Sequence, residues 1–251
     1  MRLKNLKFIA LLLFMFLSTS FAQEKELELP AENTSWFGMK TESLFPLYLG
    51  VGPQFFITPK WEASLLFGLV PKDYYQTIGA MAANFSGNAA YKDVVEAAFQ
   101  NNTLTRVDLS YQFSDHQSGW SAGSAVSRLH ASGRAEIDSV LAAGTGNVFT
   151  GLINLLIAAG KDTKVDMTTT INIGEIFFAY RWNAPSHLVV KGIFGVAKVL
   201  SADVSIKTDM PNFESSNAGK KLISNTESDI EDIIVQYGLS PTVGAQLSYF
   251  F

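Results

Sequence analysis

Along most of this chain apolar and polar residues alternate with a period of two, the pattern of strands that have one greasy face and one wet face. From Leu47 to Ile57 the odd positions are Leu47, Leu49, Val51, Pro53, Phe55 and Ile57, set against Tyr48, Gly50, Gly52, Gln54 and Phe56. A turn at Thr58-Pro59-Lys60 leads into a second strand. It has Trp61, Ala63, Leu65, Phe67 and Leu69 on one face and Glu62, Ser64, Leu66, Gly68 and Val70 on the other. In a third, Thr105, Val107, Leu109, Tyr111 and Phe113 alternate with Arg106, Asp108, Ser110 and Gln112. A sandwich interior would not bury Arg106, Asp108 and Ser110 in succession, whereas a barrel lumen accepts them.

The alternation continues with less regularity. A Gly-, Ala- and Ser-rich strand runs from about Trp120 to His130, its facing undecided. From Val165 the residues Val165, Met167, Thr169, Ile171 and Ile173 read as outward, but beyond Gly174 the apolar set becomes Ile176, Phe178, Tyr180 and Trp182. One extra residue flips every later side chain, so a β-bulge near Gly174-Glu175 is expected, keeping Glu175 and Arg181 inside. The strand from Leu188 to Lys207 puts Leu188, Val190, Phe194 and Val196 outward and Lys191 in the lumen, opposite Glu62, Asp108 or Glu175. These two strands are about twice the roughly 9–11 residues that a tilted strand needs to cross a bilayer, so their hairpin is expected to project beyond it. The last strand places Tyr249, Leu247, Ala245 and Val243 on the face of Phe251, with Ser248, Gln246, Gly244 and Thr242 on the other. The visible strands are odd in number, and single-chain barrels have even counts. A first strand is therefore placed between Glu26 and Met39, which holds Leu27, Leu29, Trp36 and Phe37.

Three long connections change the period to 3.6. In 71–103, Tyr74, Ile78, Met81 and Phe85 form one stripe and Tyr91, Val94, Val95, Ala98 and Phe99 another. In 131–163, Ile137, Val140 and Leu141 precede Val148 to Ala159, and in 208–239 Ile230, Ile233, Ile234 and Tyr237 share a face. Short turns on one side and long helical loops on the other predict an antiparallel transmembrane β-barrel of about eight strands with helical extracellular excursions.

Arg2, Lys4 and Lys7 precede the apolar run Phe8 to Leu17, and Ser20-Phe21-Ala22 supplies small residues at a cleavage site. Residues 1–22 therefore read as an export signal, leaving 23–251 as the barrel. The whole chain carries a net charge of −4, and loss of three basic residues with the signal makes it more acidic, which excludes a polybasic nucleic-acid surface. There is no cysteine, and His116, His130 and His187 are scattered, so neither thiolate nor paired-histidine metal sites are expected, nor any cofactor.

The closing spacing of Leu247, Tyr249 and Phe251 resembles the C-terminal signal by which barrel-assembly machinery recognises bacterial outer-membrane proteins. The run Phe67-Gly68-Leu69-Val70-Pro71-Lys72-Asp73-Tyr74-Tyr75, the segment Tyr91 to Ala98 and the strand Val243 to Phe251 are similar to a family of small bacterial outer-membrane β-barrel proteins without an assigned reaction. The resemblance implies an outer-membrane location and a barrel fold; outer-membrane lipid and the assembly machinery are the expected partners, and a monomer is the expected unit. It implies no reaction.

Barrel enzymes need a catalytic histidine or acidic cluster at the outer rim or facing lipid. His116 and His187 fall in short turns, which leaves His130 with Ser127 and Ser132, a pattern better read as a solvated rim histidine. About eight strands enclose a lumen that side chains fill. Here Glu62, Arg106, Asp108, Glu175, Arg181 and Lys191 are expected to form an internal network, with Arg106 opposite Asp108 and Arg181 opposite Glu175. The expected function is a non-enzymatic outer-membrane barrel with a structural or surface-interaction role. The alternative is a narrow channel or transporter for small molecules, hydrophobic ones among them, entering a mouth lined by Phe85, Phe99, Leu152 and Ile153.

Overall fold

In the computed structural model of the protein, residues 36–87, 89–113, 118–136, 164–183, 187–209 and 215–251 are described. The export signal, His116, the Phe85 side chain and the second helical excursion with Leu152 and Ile153 lie outside the description. The strands are β1 (Phe37–Phe45), β2 (Tyr48–Phe56), β3 (Trp61–Leu69), β4 (Asn101–Gln112), β5 (Gly119–Glu136), β6 (Lys164–Asn183), β7 (Leu188–Thr208) and β8 (Leu239–Phe250). They close in sequence order, every neighbour antiparallel, with β1 paired to both β2 and β8. Helices α1 (Lys72–Ser86) and α2 (Ala90–Ala98) join β3 to β4, and α3 (Asn217–Tyr237) joins β7 to β8. None of the described helices is long and apolar enough to cross a membrane.

The barrel is inside out relative to a soluble protein. Val51, Phe67, Val107, Val126, Ile176, Phe178, Phe194, Val243 and Leu247 stand exposed on its outer wall, while Lys40, Glu42, Glu62, Arg106, Asp108, Glu175 and Lys191 are buried within. At the end carrying the β2–β3, β4–β5 and β6–β7 turns, outward aromatics meet across strands. Trp61 touches Tyr111 at 5.1 Å between ring centroids, Trp120 touches Tyr180 at 5.1 Å, and Phe37 touches Phe251 at 5.7 Å. An apolar belt bordered by an aromatic girdle on a closed sheet is the outer surface of a membrane-spanning barrel of the kind built into bacterial outer membranes.

The expected bulge at Gly174-Glu175 is absent, and β6 never changes face. Val165, Met167, Thr169, Ile171 and Ile173 point inward, as do Glu175, Phe177 and Ala179 further along. What changes along β6 is the solvent outside it. Next to lipid the wall is Ile176, Phe178 and Trp182, whereas beyond Gly174 it becomes Asn172, Thr170, Thr168 and Asp166. There the interior turns apolar, as in a soluble barrel. The polar boundary follows one line of paired residues, Thr105, Arg128, Asn172 and Ser201, across four strands. The real register shift lies on β7, where Asn172 pairs with Ser201 and Ile173 with Val199, so Leu200 is the extra residue.

The first strand is Phe37–Phe45, later than the segment Glu26 to Met39. Its neighbour follows after a two-residue turn closed by the Leu47 amide donating to the Leu44 carbonyl at 2.7 Å. One connection at the helical end is therefore short. Above the membrane, β5, β6 and β7 project as a three-stranded sheet with two open edges, and both are covered. On β7, Glu231 and Glu227 of α3 accept the Val204 and Ile206 amides, each at 2.8 Å, where β8 no longer reaches. On β5, the Gln100 side-chain amide pairs with the Arg134 backbone at 3.3 and 3.4 Å. Gly133 lets α2 approach, since a Cβ there would lie 1.6 Å from the Ala97 carbonyl oxygen. Ala98, Phe99, Ala131, Met167, Val204, Ile206 and Ile230 form the small core beneath the helices.

Candidate functional site: the lumen and its rim

The lumen is filled by charged and polar side chains that alternation forces inward from every wall. Lys191 on β7 reaches both carboxylate oxygens of Glu62 on β3, at 2.6 and 2.7 Å. Lys40 on β1 donates to Asp108 on β4 at 2.8 Å and lies 3.2 Å from Glu42 on its own strand. Arg106 on β4 donates to Glu175 on β6 and stands 3.7 Å from both Glu42 and Asp108. The Tyr48 hydroxyl donates to Glu42, Ser64 to Asp108, and Thr242 to Glu175, the last at 2.8 Å. The Arg106 guanidinium also lies over the rings of Tyr48 and Phe177, 5.4 and 5.6 Å from their centroids.

Apolar and neutral layers bracket this network. Toward the helical end Leu44, Leu66 and Leu104 are fully or almost fully buried. Toward the girdle end Gln54, Gln112, Gln246 and Ser248 are buried, and Phe56 stacks on Phe250 at 4.9 Å with Arg181 over the Phe56 ring at 5.5 Å. Each of these buried ionisable side chains lies within ion-pair or hydrogen-bond reach of an opposite charge, which offsets part of the cost of burying it. Such an arrangement ties opposite walls of the barrel together across its lumen.

Of the six residues expected in the network, Glu62 and Lys191 pair with each other, and Arg106 takes Glu175 as its closest partner in place of Asp108. Arg181 sits at the Phe56 floor, away from its expected place opposite Glu175. Lys40, Glu42 and Tyr48 complete the cluster. Lys40 and Glu42 escape the sequence reading because it sets their strand too early, although their two-residue spacing within Phe37–Phe45 carries the same inward signal as Arg106 and Asp108.

At the rim, Ser127 faces the lumen while His130 points outward, so the two stand on opposite faces of β5. His130 shares its Nδ1 with Thr170 Oγ1 at 3.3 Å. Of the residues expected to line an apolar mouth, Phe99 is buried with its ring 6.0 Å from Tyr75. A cavity of about 570 Å³ opens where β3 leaves the barrel for α1, lined by Leu69, Lys72, Tyr75, Thr103, His130 and Ser132 among others. No group of three metal-ligating side chains comes together among the described residues.

No protein-family model matches the chain, and no curated protein matches it. Among solved structures, CarO2 of Acinetobacter baumannii is similar at 10% identity and a TM-score of 0.36, over 86% of this chain and 98% of that one. A major outer membrane protein from Thermus thermophilus is similar at 8% identity and a TM-score of 0.39, over 85% and 99%. CarO of Acinetobacter baumannii is similar at 11% identity and a TM-score of 0.35, over 90% and 100%. TM-scores this low carry no argument about the present chain, whose architecture stands on its own hydrogen bonding.

Proposed function

We propose that the protein is a non-enzymatic barrel of the bacterial outer membrane, closed to solutes, with a structural or surface-interaction role. In this reading 23–251 is the exported part, inserted as a monomer by assembly machinery that engages the face of Leu247, Tyr249 and Phe251. The Lys191–Glu62 pair carries the reading. It joins strands four places apart in a barrel of eight, so its atoms span the full width of the lumen. The Arg106–Glu175 and Lys40–Asp108 pairs add further links across the lumen. A non-enzymatic role is supported by the separation of Ser127 from His130 on opposite faces of β5. Helices α2 and α3 with the projecting sheet are then the part offered to the outside.

Planar-bilayer recording and liposome swelling on the purified protein test this. Absence of a steady conductance is the expected result. A steady conductance, or saturable uptake of a small solute, would overturn it in favour of a narrow channel or transporter.

A further inference from the structure

The rim cavity beside α1 lies on the outward side of the barrel at a defined depth. Thr103 pairs with His130, and the next outward pair toward the girdle, Thr105 with Arg128, belongs to the polar boundary line. Below that line Val107 is 55% exposed, and on β3 the apolar wall reaches the line itself, where Phe67, 54% exposed, pairs with Thr105. Above it come Ser132, Thr170 and Thr168. The cavity therefore opens where the apolar outer wall of β3 meets the polar wall of β5, the level at which lipid headgroups reside.

Its chemistry is one-sided. Lys72 and His130 are the basic side chains of the lining, and no carboxylate belongs to it among the described residues. Arg128, exposed on the same face of β5 two residues before His130, adds a third basic side chain at the lower lip. Asn101, Gln100, Thr103 and Ser132 supply neutral hydrogen-bonding groups. Leu69, 49% exposed at the lip, continues downward into the greasy strip of Phe67 and Val107. A ligand that suits such a site is amphipathic, with an anionic oxygen-rich head among the basic side chains and hydrocarbon running down the wall. Its volume of about 570 Å³ lies within the roughly 300–1,000 Å³ usual for small-ligand sites, more than a lone inorganic anion needs.

We propose that this cleft binds the phosphorylated headgroup of a lipid in the outer leaflet, with Lys72, His130 and Arg128 contacting the phosphate and Leu69 guiding the acyl chains. The proposal rests on the membrane-spanning reading of the barrel.

Its test uses the full chain in detergent, shown to be a folded barrel by heat-modifiable migration on a gel. Native mass spectrometry then follows titration with diphosphoryl lipid A, with the same lipid lacking both phosphates, and with inorganic phosphate as competitor. Saturable binding of the phosphorylated lipid is expected, at least tenfold tighter than that of the dephosphorylated one. The double variant Lys72→Ala with His130→Ala should weaken it about tenfold, while Lys207→Ala, an exposed lysine on β7, leaves it unchanged. Equal binding of both lipids, or indifference to the double variant in a heat-modifiable barrel, overturns the cleft and leaves the barrel standing. Displacement by an equal concentration of inorganic phosphate would make it a free-anion site and overturn the lipid assignment. A chain that shows no heat-modifiable form overturns both.

Discussion

Lys191 of β7 and Glu62 of β3, 129 residues apart in sequence, meet across the full diameter of the barrel with Nζ 2.6 Å from Oε1. Both side chains are about 2–3% exposed. Removing one member leaves a buried charge without compensation, which costs about 3–5 kcal/mol, whereas replacing both by apolar groups of similar size is often neutral. Glu62→Met or Lys191→Met alone should therefore sharply lower the midpoint of urea unfolding in lipid vesicles. The double variant should regain most of the loss. Additive losses in the double variant would show that the two side chains act independently.

The polar boundary on β6 gives a second expectation. Ile176 and Thr168 share the outward face of this strand, one on each side of the line through Asn172. A lysine placed at Ile176 enters the lipid belt, at a cost of about 2–4 kcal/mol near the midplane. A lysine at Thr168 meets water and should cost almost nothing. Refolding titrations of the two variants in the same vesicles check this, and equal costs would mean that the boundary is misplaced.

That boundary also explains what is legible in the sequence and what is hidden. Strands β3, β4 and β8 stay largely beside lipid, so their alternation reports facing directly, and residues such as Leu109 and Asp108 fall on the sides that alternation assigns. β6 crosses from lipid into water. Its apolar set then moves from the outer face to the inner one with no change of register, and Met167 or Ile171 inside looks the same in sequence as a flipped strand. β1 is hard to see because neither face of Phe37–Phe45 is clean: Thr41 and Ser43 look outward, and Leu44 joins Lys40 and Glu42 inside. The inward position of Arg106, Glu175 and Lys191 follows from alternation. Their partners do not, because cross-lumen contacts depend on strand stagger, which pairs Arg106 with Glu175 more closely than with Asp108.

Closure of the seam predicts a role for the final aromatics. The Phe251 amide donates to the Phe37 carbonyl at 3.2 Å, its ring lies 5.7 Å from that of Phe37, and Phe250 stacks on Phe56. Phe250→Ala with Phe251→Ala should reduce the heat-modifiable fraction recovered from outer membranes. Undiminished recovery would show that β1–β8 backbone pairing alone closes the barrel.

The exposed pair at the tip of β5 and β6 yields a pH expectation. Arg134 Nε donates to Asp166 Oδ1 at 2.7 Å, and this hydrogen bond holds the Asp166 carboxyl below its ordinary value. A depressed folded-state value means that the pair's contribution is present above the unfolded carboxylate value of about 3.9 and is lost as pH falls through the lower one. Carbon-detected NMR titration of Asp166 should therefore show a midpoint below that of an unpaired aspartate. Arg134→Ala should move the midpoint upward, and no movement would remove the hydrogen bond as its cause.

The helix that covers the β7 edge supplies the last expectation. Glu227 and Glu231 are four residues apart, so they stand on one face of α3, and their carboxylates take the Val204 and Ile206 amides that β8 leaves without a strand partner. The Lys198 ammonium fastens the same helix lower down by donating to the Val235 carbonyl at 2.6 Å, and the Val199 amide donates to the Gly238 carbonyl at 2.7 Å. Hydrogen bonds to a charged acceptor are worth about 1.5–3 kcal/mol each, equivalent to roughly tenfold or more in amide exchange rate. Glu227→Ala with Glu231→Ala should accelerate exchange at Val204 and Ile206 by at least that factor. Val189 and Lys191, near the girdle end of β7 and paired on both sides, should keep their protection. Acceleration spread evenly along β7 would mean that α3 stabilises the whole barrel, whereas acceleration confined to the upper edge makes it a local cover over an otherwise open strand.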